Sequence, residues 1–404
     1  MSDAVRLQKR VDDLAKIGGT GTSVTRLGLT DLERQGHDLV ASWCAPHAQA
    51  RHDEAGNLYL RFEGADPEAP VLLVGSHGDS VPEGGRFDGA LGVCIAVEAV
   101  VSLVESGARF ARPVEVVAWS DEEGARFGIG LFGSCAAFGK LPPGAGELRD
   151  KSGVSIVEAL RELGHKGDPF AARRDPSGIH AYVEPHIEQG PRLERAGLAL
   201  GVVSDIVGIF HARVRVKGRA DHAGATVMTA RKDALVAATG VIAALERIAK
   251  AMPDAVGTVG EISVRPGAKN VVPGECVFSL DIRAPKQDSL ERVKRELIAE
   301  MSRVTRERGV DFQMDPLHAV PVTPLDAKIR EVLVKAVRAV GVEPPLMVSG
   351  AGHDAQNPSL SGVPTGMIFV RSTGGSHTPT EFASGADAAL GARALEIAIR
   401  DLAS

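Results

Sequence analysis

The sequence predicts an α/β protein in which a larger domain, built on a mixed, mainly parallel sheet, is interrupted by a smaller α+β insertion. Three observations carry this. Val71–Gly75 (VLLVG) and Val114–Trp119 (VEVVAW) are continuous apolar runs, the pattern of strands buried on both faces of a parallel sheet. Between them Gly89–Ser106 is rich in Ala, Val and Leu and long enough for a helix, which completes a β-α-β unit. The middle of the chain then changes period: His211–Lys217 (HARVRVK) and Cys276–Asp281 (CVFSLD) alternate apolar and polar residues, as strands of an antiparallel sheet with one wet face do.

Taken in order, the chain opens on MSDAVRLQKRVDDLAKIGGT, charged and amphipathic, without the apolar core and cleavage site of a secretory signal. No stretch reaches the roughly 18 uninterrupted apolar residues of a membrane span. A length of 404 residues suits two domains. The pattern places the first part of the larger domain at 1–212, the insertion at 213–325 and the returning part at 326–404. Helical patterns at Thr229–Ala251 and Ser289–Arg308 separate the strands of the insertion, and Pro321–Pro324 (PVTP) reads as its exit hinge. Leu325–Val340 is then helical, Thr365–Arg371 strand-like, and Ser384–Leu402 a final helix with Ser384 as N-cap.

Composition narrows the function. The hydrophobic and charged fractions, 44% and 24%, are those of an ordinary globular protein. A net charge of −6 without any basic run excludes a nucleic-acid footprint, although a local cation can still meet a small anionic substrate. Cys44, Cys94, Cys135 and Cys276 are widely spaced and form no C-x-x-C pair, so buried reduced thiols in a cytoplasmic protein are expected.

The chemistry is concentrated where strands end. Gly75–Gly92 (GSHGDSVPEGGRFDGALG) follows the first buried strand and carries His77, Asp79 and Asp88 among glycines that permit close backbone approach. Histidine with carboxylate suits Zn²⁺, Mn²⁺ or Co²⁺, and Asp79 is spaced to hold the other ring nitrogen of His77. The second strand runs into Ser120-Asp121-Glu122-Glu123-Gly124. Two adjacent glutamates cannot point the same way, so one can bind metal while the other serves as general base. Tyr182–Leu193 (YVEPHIEQGPRL) supplies Glu184, His186 and Glu188, and Gly374-Gly375-Ser376-His377 follows a fourth strand. Together these give His77, Asp88, one of Glu122 and Glu123, His186 and His377, and three histidines with two carboxylates are too few for two closed structural sites but suit two open ones bridged by a carboxylate and a water.

These segments, with GRADHAGATVMTARKDAL, GAGHDA and GGSHTPTE, stand in an order that resembles the hydantoinase/carbamoylase branch of the dinuclear metallo-aminoacylase and metallopeptidase superfamily, over roughly residues 5 to 400. The resemblance implies a Zn-peptidase-like catalytic domain with a lid and dimerisation insert, and two divalent ions per subunit (Zn, Mn, Co or Ni). It implies His77, Asp88, Glu123, His186 and His377 as metal ligands, Asp88 bridging, and Glu122 as the general base, with Asp79 in support. It further implies Gln189, Asn270, Arg283 and His353 as substrate-binding residues, Arg283 clamping a carboxylate, and His222 reaching the site of a homodimer partner to hold the oxyanion. The reaction implied is hydrolysis of an N-carbamoyl amino acid to amino acid, ammonia and carbon dioxide by hydroxide generated at the metal pair. Allantoate hydrolysis, N-acyl deacylation or peptidolysis, and a non-catalytic metal-binding relative are the alternatives. The chain departs from the family pattern at Ala225-Thr226-Val227-Met228, where Thr-Thr-Pro-Met is common, and at Cys135, where Arg is common.

Gly128–Gly133 (GIGLFG) matches a dinucleotide fingerprint in letters only. It follows the acidic SDEEGARF segment rather than a strand, and those carboxylates would repel a pyrophosphate.

Overall fold

The computed structural model describes residues 2–45 and 47–404, apart from the side chain of His318. They form two compact units, 2–204 with 324–404, and 205–323. The first division falls before the strand Gly208–Lys217, because that strand pairs along its whole length with Glu275–Ala284 of the second unit.

In the first unit the four central strands are parallel: Thr365–Val370, Ile179–Ile187, Val71–His77 and Val114–Trp119, in that order across the sheet. Antiparallel strands flank them, Leu200–Ile206 on one side and Leu58–Phe62 with Gln49–His52 on the other. The sheet is therefore mixed, with its parallel part at the centre. Every residue of Val71–His77 and Val114–Trp119 is buried, as their unbroken apolar runs require.

The helix Ala90–Glu105 connects these two strands and is buried all round from Ala90 to Leu103. The one charge in this buried stretch, Glu98, is fully buried and met from every side. Its carboxylate accepts from Arg6 Nε and Nη2 (both 2.9 Å), Arg10 Nη1 (2.5 Å), Ser102 Oγ (2.9 Å) and the Asp3 amide (2.7 Å). The amphipathic opening of the sequence is thus the helix Ala4–Lys16, capped by Asp3 and fixed by this carboxylate. The last helix, Gly385–Leu402, is capped by Ser384 Oγ, which accepts the Asp387 amide.

The second unit is an antiparallel sheet ordered Val256–Thr258, Glu275–Ala284, Gly208–Lys217, Asp311–Val320. Its burial alternates residue by residue. Ala212, Val214, Val216, Phe278, Leu280 and Ile282 join one core with the helices Ala234–Lys250 and Gln287–Arg308. The former starts later than the apolar pattern does, because Asp233 caps it through the Leu235 and Val236 amides. All four cysteines are buried free thiols, and burial pushes Cys44, Cys94 and Cys135 up to about 12.

Candidate metal centre

Because the four central strands are parallel, their carboxyl ends lie along one edge of the sheet, where open α/β sheets bind ligands. His77 ends one strand, Glu122 and Glu123 follow the next, His186 closes a third, and His377 lies beyond the fourth. The helix after His77 begins at Gly89 in a left-handed conformation (φ 59°), packed so tightly that a β-carbon there would lie 2.3 Å from the His77 ring.

Donor atoms of His77, Asp88 and His186 lie within 4.8 Å of one another, and so do those of Asp88, Glu123 and His377. Asp88 belongs to both groups. His77 Nδ1 is 3.2 Å from Asp79 Oδ1, and His186 Nδ1 faces the Ile187 carbonyl at 2.9 Å. His186 Nδ1, facing a carbonyl, carries that ring's proton and leaves a lone pair on Nε2, while, against its burial, Glu122, Asp79 and Glu123 hold His77 well above its ordinary value. The two Nε2 atoms face one another at 3.4 Å, with Asp88 Oδ1 3.3 Å from that of His186 and without a hydrogen-bond partner. A divalent cation at about 2.0–2.1 Å from each would satisfy both, so the donor set fits a metal ion. At the second group, His377 Nε2 is 3.3 Å from both Asp88 Oδ2 and Glu123 Oε1, again a set a cation fits.

The charges are strongly perturbed. Burial drives His186 down to about 4, against the pull of Asp88 and aided by His77. Hydrogen bonding to Asp88 and Glu123 raises His377 to about 10. Burial would raise Asp88, but His377, His186 and His77 hold it well below the usual carboxylate range. Burial lifts Glu122 well above that range, opposed by His77 and reinforced by Glu123 and Asp354. Glu122 Oε2 lies 3.7 Å from His77 Nε2.

Asp79 does more than its spacing suggested. Besides facing His77, its two oxygens accept the amides of Glu122 and Glu123, each at 3.1 Å, so one carboxylate fixes both acidic side chains. The turn that allows this passes through Asp121 at φ 49°, and Gln189 (59°) and His377 (58°) are likewise left-handed non-glycine residues at the site.

Of the remaining residues singled out in the sequence, Gln189 donates to Asp88 Oδ2 at 2.8 Å. His353 is buried behind His186, their ring centroids 4.5 Å apart. His222, Asn270 and Arg283 belong to the second unit. There, His222 Nδ1 accepts the amides of Gly224 and Ala225 (3.0 and 3.1 Å), which leaves its proton on Nε2, and the Asn270 carbonyl accepts the Ala223 amide at 3.0 Å. Arg283 Nε and Nη2 donate to Asp281 at 3.0 Å, and His211 Nε2 is 3.2 Å from the same carboxylate.

Several contributors were not legible from residue type. Glu381 Oε1 accepts the amides of Phe87 and Asp88 (both 3.0 Å), and Ser376 Oγ bonds Asp88 Oδ2 at 2.7 Å. Arg26, fully buried, donates Nε to the Gly78 carbonyl between His77 and Asp79 (2.6 Å). Glu33 accepts the amides of Leu29 and Asp121. Ser376 and Glu381 lie within the GGSHTPTE segment, and Glu33 left the Thr30-x-x-Glu33 spacing of a capping box, but Arg26 left no trace.

Comparison with known proteins agrees with this geometry. Residues 73–401 match the family described as Peptidase family M20/M25/M40. The chain is 41% identical to an N-carbamoyl-L-amino acid amidohydrolase of Geobacillus stearothermophilus, over 100% of this chain and 99% of that one. It is 34% identical to a probable allantoate deiminase of Oryza sativa subsp. japonica, over 92% and 83%. A crystal structure of a hydantoinase/carbamoylase family amidase from Burkholderia vietnamiensis superposes with a TM-score of 0.89 at 35% identity, covering 100% of this chain and 98% of that one. The chain belongs to peptidase family M20/M25/M40, and within that metal-dependent family to its hydantoinase/carbamoylase amidohydrolases.

Proposed function

We propose that the protein hydrolyses the ureido C–N bond of an N-carbamoyl amino acid, giving the amino acid, ammonia and carbon dioxide. The observation that carries the chemistry is the pair of imidazole nitrogens, His77 Nε2 and His186 Nε2, face to face at 3.4 Å beside a carboxylate shared with a second donor group. His77, Asp88 and His186 would hold one divalent ion (Zn, Mn, Co or Ni), and Asp88, Glu123 and His377 the other. When bound, the pair lowers the pKa of water and neutralises developing negative charge.

Glu122 takes the proton of the water that adds to the carbamoyl carbon and passes it to the departing nitrogen. Its burial suits it to both halves of that transfer, since a raised carboxylate pKa brings the group nearer to neutrality. His222, with its proton on Nε2, is equipped to donate to the oxyanion, and we assign it that role in the site of a second copy of the chain. Asn270 and Arg283 would bind the rest of the substrate, with Arg283 on its carboxylate, while Gln189 and His353 would contribute from the first unit.

An ammonia-release assay of the metal-supplemented protein across N-carbamoyl-L- and D-amino acids, N-carbamoyl-β-alanine, allantoate and dipeptides tests the substrate. Fastest turnover of an N-carbamoyl-L-amino acid is expected. Faster turnover of allantoate, the substrate class named for the rice relative, would select that reading instead. Glu122→Gln should keep its metal and lose activity by several orders of magnitude. Near-wild-type turnover in that variant would overturn the mechanism.

A further inference from the structure

Asp281 and Arg283 are two apart on the strand Glu275–Ala284 of the second unit, so their side chains stand on one face of its sheet. Phe278, Leu280 and Ile282 point the other way, into the core shared with the helices Ala234–Lys250 and Gln287–Arg308. The antiparallel register sets His211 opposite Asp281 and Ile209 opposite Arg283 on the strand Gly208–Lys217. On the other side, Thr258 and Val256 stand opposite the same two residues. The pair is therefore held between two strands, on the face away from the helices.

Their ion pair is a two-bond fork. Arg283 Nε donates to Asp281 Oδ1 and Nη2 donates to Oδ2, each at 3.0 Å. Two parallel bonds fix the plane of a guanidinium as well as its distance, which a single contact cannot do. His211 Nε2, 3.2 Å from Asp281 Oδ1, faces the same carboxylate from the neighbouring strand. Burial would raise Asp281, but hydrogen bonding to His211 and Arg283 brings it down to about 2, so it is anionic throughout the neutral range. The Arg283 and Asp281 side chains are 29% and 35% exposed, and ion pairs that wet contribute little to stability. What the fork does secure is the orientation of Arg283.

We propose that Asp281 is a positioning residue for substrate recognition: it holds the Arg283 guanidinium in the orientation that receives the substrate carboxylate, without touching substrate itself. This inference rests on the reading of Arg283 as the carboxylate clamp. A long side chain that must be ordered at the moment of binding weakens affinity by roughly 2- to 10-fold, and one already ordered by a neighbour does not. Asp281 also opposes an incoming anion by its own charge, but solvent screens that repulsion at such exposure. Loss of order therefore outweighs loss of repulsion, and removing the Asp281 carboxylate weakens binding. The effect falls on KM rather than kcat, because Arg283 holds a group that does not react.

Steady-state kinetics of the wild-type protein, Asp281→Asn and Arg283→Gln on an N-carbamoyl-L-amino acid test this, with the corresponding amide, which lacks the carboxylate, as a competing ligand. Asn at position 281 keeps one acceptor oxygen but turns an NH2 group toward Arg283 Nη2. KM of Asp281→Asn should rise about threefold to tenfold with kcat within about twofold, and the inhibition constant of the amide should stay within about twofold. An unchanged or lower KM in Asp281→Asn, beside a raised one in Arg283→Gln, overturns the positioning role and leaves the clamp intact. An unchanged KM in Arg283→Gln overturns the clamp and this inference with it. An equal rise in the amide's inhibition constant shows a general loss of the site and also overturns the proposal. A crystal structure of the wild-type protein with an unhydrolysable carboxylate-bearing analogue needs no variant. Both Asp281–Arg283 bonds should persist there, and an analogue carboxylate in place of Asp281 on Nε and Nη2 would refute the assignment.

Discussion

The Glu33 carboxylate accepts the backbone amide of Asp121 at 3.0 Å, joining residues 88 positions apart in the chain. Asp121 is the left-handed residue that turns the strand end toward Asp79, so Glu33 positions the loop that carries Glu122, the proposed general base, without touching it through side chains. Glu33→Gln keeps the volume but replaces one acceptor oxygen with a donor, against two amides that both require acceptors. A fall in kcat of about 10- to 100-fold is expected, the scale of a small misplacement of a catalytic group, with KM changed by less than about twofold. Steady-state kinetics with metal analysis of the same sample checks this. A parallel loss of bound metal would instead place the effect on the ligands.

Gly89 leaves no space for a side chain. A methyl group there would overlap the His77 imidazole in a backbone conformation that L-residues rarely adopt. Gly89→Ala should weaken metal binding by at least about tenfold, comparable to loss of a group that orients a ligand. Competition against a chelating dye measures it, and the far-UV circular dichroism should stay unchanged.

Glu98 bears on stability rather than catalysis. Replacing it with Ala leaves Arg10 buried without its anion, at a cost of about 3–5 kcal/mol. Urea unfolding should show the full loss, and the helix Ala4–Lys16 should lose its protection from amide exchange first.

His37 predicts a pH dependence. It is buried, stacked on His52 with centroids 5.8 Å apart, and burial lowers it from the ordinary 6.5 to about 3, with His52 and Arg26 adding to the shift. The unfolded chain binds this proton more readily than the folded one, so its contribution is complete above about pH 6.5 and falls as the pH drops toward 3. Between pH 7 and 5 the loss is about 2 kcal/mol by linkage. Urea midpoints of metal-free wild-type and His37→Gln protein should diverge in slope over that interval. Parallel slopes would remove His37 as the cause.

What the sequence made legible follows from how each residue acts. His77, Asp88, Glu123, His186 and His377 offer donor side chains at the ends of apolar strands or in the segments after them, and such runs announce themselves. Glu33, Glu381 and Arg26 work on distant backbone amides and carbonyls, and no spacing encodes which peptide group a folded chain will bring near. Asp281 escaped notice because its link to Arg283 needs both the period of two and the register that sets His211 opposite. The strand Asp311–Val320 was hidden by Pro316, which is accommodated where the register shifts between Pro316 and His318.

The first unit is built from two stretches of chain separated by the second, and its donors come from both. Ser376, which bonds Asp88, lies 288 positions after it. During synthesis the ribosome must therefore release almost the whole polypeptide before His377 can meet Asp88 and Glu123. A nascent chain that already carries His77, Asp88 and His186 would hold only the first of the two donor groups until His377 is added. On the proposed ligand set, the second donor group would be complete only once His377 has been added, so products truncated before it would lack that group by topology alone.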